Sequence, residues 1–403
     1  MAKPVVLVGA LDTKGAEFQF VRELLQAQGL ETILVDFGVV GEPAVPPDIG
    51  SDEVARAAGS SLAELRSKGD KTLAMRTMAE GLTRVVGELY AAGRLGGILG
   101  MAGSGGTAIA TAAMRALPTG VPKLMVSTVA AGDIAPYVGT KDITMMPSVV
   151  DVAGINRFSR QIYTNAAGAI AGMVRMEAPA AAEDKPLITA SMFGNTTPCV
   201  NHAKALLEAQ GYEVLVFHAT GTGGRTMESL IEAGYIAANL DITTTELADE
   251  VCGGVLSAGP DRLMAAARRG IPTVLVPGCV DMANFWARST VPERYRDRTL
   301  YEWNPNVTLM RTNVEENRRI GEMIAAAANA STGPVAILLP LKGVSQLDSP
   351  GGPFWDPEAD AACYEAIKAH LKPGIPVIEM DNNINDPAFA EKAVDVLLTM
   401  LRS

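Results

Sequence analysis

Gly100-Met101-Ala102-Gly103-Ser104-Gly105-Gly106-Thr107 stands between an apolar run, Leu95 to Leu99, and a run suited to a helix, Ala108 to Leu117. That order predicts a strand, a glycine loop and the start of a helix. Glycines let the main chain turn tightly and let a ligand approach it, and the first N–H groups of a helix are unpaired and carry positive partial charge. Such a place suits a phosphate or a carboxylate. The stretch is neither GxxxxGK[ST] nor GxGxxG, so its meaning rests on the strand-loop-helix context, and a turn needed only for helix–sheet packing is the competing reading. The charge-free run Leu95 to Met114 is long enough to cross a bilayer. It is broken at Gly103 to Thr107 and made largely of Gly, Ala, Ser and Thr, whereas a spanning helix needs a sustained run of larger apolar side chains, so no membrane segment is expected.

With 403 residues and 48% hydrophobic content, the chain can bury a large core and is expected to form two domains. Aromatics make up only 5%, and abundant Gly and Ala suit close helix–sheet packing. A net charge of -11 argues against a nucleic-acid or acidic-membrane surface, while leaving room for one small anion held by backbone amides. Cys199, Cys252, Cys279 and Cys363 form no CxxC pair, and Met1 to Val8 lacks a secretory h-region, so reduced thiols and a cytoplasmic location are expected.

Val5 to Ala10 reads as a strand covered on both faces, Leu11 to Gly15 as a loop, Ala16 to Gln28 as a helix ended by Gly29, and Thr32 to Val35 as a second strand. Residues 41–92 break the rhythm with Pro43, Pro46 and Pro47 and two amphipathic stretches, Val54 to Leu65 and Lys71 to Tyr90, an inserted helical piece whose surface is the expected oligomer contact. Gly120 to Val129 and Ile143 to Met146 are further strands, followed by a long helical run through Asn156, Asn165 and Met173 and a linker over Glu177 to Lys185. Then the pattern restarts. Leu24 to Glu31 (LLQAQGLE) matches Leu206 to Glu213 (LLEAQGYE), Gly120-Val121-Pro122 matches Gly270-Ile271-Pro272, and Ile143 to Met146 matches Val307 to Met310. In that register Asp12-Thr13-Lys14 stands opposite Gly194-Asn195-Thr196, and Asp36 opposite His218. The fold class is therefore α/β, two duplicated Rossmann-like domains over 1–180 and 186–403 with mostly parallel sheets, whose ligand-binding strand ends could face one central cleft.

In the second domain, Thr222-Gly223-Gly224-Arg225 again follows a strand and opens a helix, with Arg225 a candidate anion clamp against a plain surface role. Lys342, Ser345 and Asp348 follow the apolar Val335 to Leu339 and could hold a phosphate, a magnesium ion or an acid/base Lys, unless the stretch is only a folded loop. The three histidines show no metal spacing, and His218, at a strand end, is the one singled out. Lys342, Asp348 and His218 are the catalytic candidates.

Asp12-Thr13-Lys14-Gly15, Gly103 to Thr107, Val126-Ser127-Thr128-Val129, His218 to Gly224, Leu309-Met310-Arg311-Thr312 and Ile384-Asn385-Asp386-Pro387 together resemble a largely uncharacterised bacterial and fungal family related to the N-terminal, ATP-binding domain of the tomato mosaic virus resistance protein. The resemblance spans essentially the whole chain. It implies two Rossmann-like subdomains, an ATP site and a tendency to form a homodimer. It departs at Ala10, Ala102 and Trp303, where Thr, Gly and His are commoner, the last removing a possible catalytic histidine. On this reading ATP phosphates lie on Gly103, Ser104, Gly105, Gly106 and Thr107, with Asp12, Thr13, Lys14 and Thr128 nearby and Asp133 a candidate partner for Mg2+. The second-domain loops (Thr222, Gly223, Gly224, Arg225, Ser345) would then hold an unknown small molecule. An enzyme acting on a small phosphorylated or carboxylate metabolite without nucleotide, and a non-catalytic sensor or inhibitory partner, are the alternatives.

Overall fold

The structure, a computed structural model, describes residues 3–177 and 184–402. The chain forms two compact units, residues 1–180 and 181–403. Most of the linker expected at Glu177 to Lys185 lies outside the described residues.

The first unit runs β1 (Val5–Gly9), α1 (Leu11–Ala27), β2 (Thr32–Asp36), α2 (Ser51–Ala57), α3 (Leu62–Lys68), α4 (Lys71–Ala91), β3 (Gly97–Ala102), α5 (Ser104–Ala116), β4 (Lys123–Ser127), α6 (Ala135–Val138), β5 (Thr144–Pro147) and α7 (Arg157–Arg175). Its five strands pair in parallel in the order β2-β1-β3-β4-β5. Period-two alternation decides which core each β1 side chain joins. Val6 and Val8 pack with residues of α2, α4 and α5, whereas Val5 and Leu7 pack with residues of α1 and α7.

The second unit runs β6 (Leu187–Met192), α8 (Thr197–Ala209), β7 (Glu213–His218), α9 (Thr222–Glu232), β8 (Ile236–Thr243), α10 (Thr245–Cys252), α11 (Met264–Arg269), β9 (Thr273–Gly278), β10 (Met282–Phe285), β11 (Leu300–Asn304), β12 (Val307–Arg311), α12 (Val314–Ala330), β13 (Val335–Pro340), α13 (Pro357–His370), β14 (Val377–Met380) and α14 (Pro387–Arg402). Its parallel sheet has the order β7-β6-β8-β9-β13-β14, the order of the first unit with one more strand. An antiparallel sheet, β10-β12-β11, is inserted after β9.

The duplication holds at the level of single turns. Gln28 and Gln210 end α1 and α8 with nearly the same backbone, φ -89°, ψ 7° and φ -90°, ψ 6°, and Gly29 (φ +76°) and Gly211 (φ +89°) follow in the left-handed region. Gly120 and Gly270 likewise share a positive φ ahead of β4 and β9. The third sequence match does not carry over. Ile143 to Met146 leads into and forms β5, paired in parallel with β4, but Val307 to Met310 lies in antiparallel β12, and the strand in the place of β5 is β13.

Three local expectations are corrected. Leu11 to Gly15 is the first turn of α1 rather than a loop, closed by Thr13 and Lys14 N–H groups donating to Ala10 and kinked at Lys14 (φ -132°, ψ 20°). Val54 to Leu65 is two helices, broken at Gly59 (φ +79°) and restarted by Ser61, whose hydroxyl accepts from Glu64 N–H. The eight-residue glycine loop contracts to one residue, because β3 continues to Ala102 and α5 begins at Ser104.

A Cβ on Gly29 or Gly211 would meet nothing within 4 Å, so replacing either carries only the backbone penalty of the left-handed region. Gly29→Ala and Gly211→Ala are each expected to lower the stability of their own unit by about 1 kcal/mol, read from urea denaturation; clearly unequal costs would contradict the equivalence of the two turns.

Candidate functional site

In a 2-1-3-4-5 parallel sheet the strand order reverses between β1 and β3, and ligands bind beyond the carboxyl ends of the strands there. The first unit has a cavity of about 670 Å³ at that place. Its walls come from Asp12 and Thr13 of α1, Phe37 to Val40 after β2, Arg66 of α3, Lys71, Met75 and Met78 of α4, and Gly105, Gly106 and Ile109 of α5. The helical insertion therefore supplies one wall.

Gly103 begins α5 without a side-chain cap, so the N–H groups of the first turn have no intrahelical acceptor. A Cβ on Gly105 would meet the Met75 methyl at 3.4 Å, facing the cavity, whereas one on Gly106 would stand 2.7 Å from the Ala102 Cβ. Gly106 is thus required by packing, while Gly105 lies in the cavity wall, where a Cβ would only touch Met75. Ser104 is exposed beside them, while the buried Thr107 hydroxyl is engaged with Gly103 carbonyl oxygen at 2.8 Å and Ser127 Oγ at 2.7 Å.

The loop after β2 is held from two sides. Asp12 Oδ2 accepts from Val40 and Gly41 N–H groups at 2.9 and 3.1 Å, while Arg66 donates to the Val39 and Gly41 carbonyls at 2.7 and 2.9 Å. Asp12 Oδ1 is buried without a partner. Asp36 accepts from Leu11 and Gly38 N–H groups, and burial raises its pKa above the ordinary carboxylate value despite those bonds. Lys71 stands at the first position of α4, where the helix dipole disfavours a cation, and makes no ion pair among the described residues.

The other expected residues of this site are placed elsewhere. Lys14 is absent from the cavity wall, its amine donating to the Val152 carbonyl at 2.5 Å. Thr128 lies on the other flank of α5, in a separate cavity at the ends of β4 and β5. Asp133 is exposed and accepts from Ala135 N–H at the start of α6. Among the described residues no three His, Cys, Asp or Glu side chains cluster in a way that could hold a metal ion.

In the second unit the turn that opens α9 is closed by a carboxylate of the chain itself. Gly221 and Gly224 N–H groups donate to Glu246 Oε1 at 2.7 and 3.0 Å, and a Cβ on Gly224 would stand 2.1 Å from Glu246 Oε2. The turn expected to receive a ligand is therefore already filled, and Gly223 is packed so that a Cβ would strike the His218 carbonyl. Arg225 reaches along the surface to Ser257 carbonyl oxygen and Thr222 Oγ1. Arg262 anchors Glu246 (2.6 Å), holds Asp241 through two bonds of 2.6 and 2.7 Å and reaches Glu228 at 3.2 Å. Burial alone would lower its pKa, but Asp241 and Glu246 carry it well above the ordinary guanidinium value.

Ser345 and Asp348 are brought together, fully buried. Ser345 Oγ donates to Asp281 at 2.9 Å and accepts from Leu347 and Asp348 N–H groups, while Asp348 accepts from Val344 N–H. Arg311 bonds Asp360 at 2.7 Å and lies 3.7 Å from Asp348. Burial, with Asp348 alongside, pushes Asp360 up to about 8 and Asp281 up to about 7. The other two catalytic candidates do not join them: the Lys342 amine pairs with Asp381 at the surface, and exposed His218 packs its ring on Phe193 at 5.3 Å. Sequence reasoning gives Arg262, Arg311 and Asp360 no role, although Arg311 stands in a motif that carries the resemblance; for Arg262 the available signal is Asp241, a charge inside an otherwise uncharged strand.

Two outcomes follow from these buried charges. Arg262→Met strands three carboxylates and is expected to destabilise the second unit by about 3–5 kcal/mol, whereas Arg225→Met on the surface shifts it by about 0.5 kcal/mol or less; urea denaturation compares them. Asp360 holds its proton in the folded chain up to about 8, against 3.8 for an ordinary aspartate. Its contribution is thus complete in acid and lost as pH rises toward the folded value. Stability should fall between about pH 4 and 8, and Asp360→Asn should flatten that fall; a profile that this variant leaves unchanged would contradict the assignment.

A 51% identical relative in Clostridium tetani aligns over 100% of both chains. The "ToMV resistance protein Tm-1(GCR237)" of Solanum lycopersicum is 44% identical over 75% of this chain and 41% of its own. A solved UDP-N-acetylglucosamine 2-epimerase from Rickettsia bellii covers 100% of this chain and 98% of its own at 10% identity, with a TM-score of 0.24 too low to carry any argument. Residues 3–179 match the N-terminal domain and residues 185–401 the C-terminal domain of the uncharacterised protein family UPF0261, and the chain belongs to that family.

Proposed function

We propose that the first unit binds ATP as its magnesium complex in the cavity at the β1 and β3 ends. The observation that carries this is the uncapped amino end of α5 opening, through Gly105, onto a cavity of about 670 Å³ at the point where strand order reverses. The triphosphate would lie against the first-turn amides of α5, with Lys71 supplying a mobile cation. Phe37, Met75 and Ile109 offer an apolar face to the base. The choice of ATP among nucleotides comes from the family resemblance in the motifs.

Asp12 decides the form of the ligand. An unpartnered carboxylate oxygen beside phosphates repels them unless a cation lies between, and Mg2+ binds well through one carboxylate plus phosphate oxygens and water. The residues present suit an ion that arrives with the nucleotide, and Asp12 would hold it. The assembly is proposed to be a cytoplasmic homodimer; four buried, unpaired cysteines suit a reducing compartment.

Isothermal titration should show saturable ATP binding that requires magnesium. Gly105→Val, which extends a side chain toward Met75, should weaken it by about tenfold or more with the thermal midpoint retained. Binding that survives this variant unchanged, or no heat at millimolar nucleotide, would remove the proposal.

A further inference from the structure

A second cavity, of about 450 Å³, opens at the carboxyl ends of β4 and β5, on the other flank of the α5 amino end. Ser127 in its wall is hydrogen-bonded to Thr107 in the first turn of α5, and the Thr128 hydroxyl stands 3.8 Å from where a Cβ on Gly103 would be.

Two features of this wall are unfavourable for the fold alone. The Ser148 hydroxyl has no hydrogen-bond partner although the residue is only 2% exposed, and an unpaired buried hydroxyl is destabilising. Val149 next to it holds φ +63°, a region that β-branched residues rarely adopt, while leaving 79% of its surface in water. Backbone strain persists only where the surroundings impose it, and it collects at ligand sites. Here the surroundings do impose it: Lys14 donates to Val152 carbonyl oxygen, Glu17 accepts from Gly154 N–H, and Val152 is fully buried. The cation expected to meet phosphate instead clamps this loop.

The wall chemistry selects the ligand. Asp151 brings a carboxylate with no side-chain partner among the described residues, and no Lys or Arg lines the cavity. An anionic ligand would meet Asp151 without a compensating cation. The Ser148 and Thr128 hydroxyls both donate and accept, the Asp151 carboxylate accepts two donors, and Val149 and Val150 offer apolar contact. We propose that this cavity binds a small neutral polyhydroxylated molecule, of the class of monosaccharides and cyclitols, with Ser148 and Asp151 as its hydrogen-bonding anchors. The proposal concerns a separate cavity and does not require the nucleotide site.

The test is isothermal titration of the full chain, without nucleotide, using D-glucose, D-ribose, myo-inositol and glycerol as probes and ethanolamine as a cationic control. Saturable heat is expected with at least one polyol at millimolar concentration. Ser148→Ala and Asp151→Asn should each weaken it by about tenfold. Ser148→Ala should at the same time raise the thermal midpoint, since it removes an unpaired buried hydroxyl, and Val149→Gly should raise it by about 2–4 °C while weakening the polyol. A merely structural role for Ser148 would move stability and affinity together. No saturable heat with any polyol, heat with ethanolamine alone, or undiminished affinity in both Ser148→Ala and Asp151→Asn would overturn the proposal.

Discussion

Coverage of the parallel sheets on both faces is the constraint that arranges everything else. A strand so covered must bury each side chain, so its polar groups are either paired internally or delivered to the carboxyl edge. β1 meets the requirement with aliphatics alone, Val5, Val6, Leu7 and Val8 all fully buried. β8 meets it differently. Ala238, Leu240 and Ile242 join one core, while Asn239, Asp241 and Thr243 bond Thr189, Ser191 and Thr196 from β6 and the turn after it. Once Asp241 is inside, a buried cation must accompany it, and Arg262 does so. Arg262 then fixes Glu246, and Glu246 closes the turn that opens α9.

The two copies have consequently diverged at equivalent edges. After β3 a single Gly103 leads into α5, and the amides of that turn border a cavity. After β8 a single Thr244 leads into α10, and Thr243, Thr244 and Thr245 direct their hydroxyls to Ser191, Val276 and Met282 carbonyl oxygens. All three threonines are fully buried. Among the described residues, one edge of the duplicated unit borders a cavity while the equivalent edge is sealed by side chains.

The strands and helix ends were legible because they follow from local patterns: apolar runs, three-and-four periodicity, and the Gln-Gly turn that both copies share. Residues whose role depends on a distant partner were not. Lys14 looked like a phosphate ligand beside Thr13, but its direction is set by Val152, far along the chain. The turn at Thr222 to Arg225 is expected from its glycines to receive a ligand, and only the fold shows that the Gly221 and Gly224 amides there are taken by the chain's own Glu246. The antiparallel sheet was hidden because β12 resembles β5 in sequence while pairing in the opposite sense.

Asp348 shows how burial separates a reactive-looking residue from chemistry. Asp348 and Asp360 lie against a single guanidinium, Arg311, whose charge also acts on Asp281, and none of the three residues is more than 4% exposed. Three full negative charges against one positive charge could not be held in so little water, so protons supply the missing balance, which is why Asp281 and Asp360 titrate near neutrality. A general acid or base needs the same raised pKa, but it also needs a substrate within hydrogen-bond reach. Here Ser345 Oγ, Val344 N–H and Arg311 each take one oxygen of Asp281, Asp348 and Asp360 respectively, and the unpartnered Oδ1 atoms of Asp281 and Asp348 are themselves buried out of reach of solvent. The raised values are thus accounted for by charge balance in a closed interior.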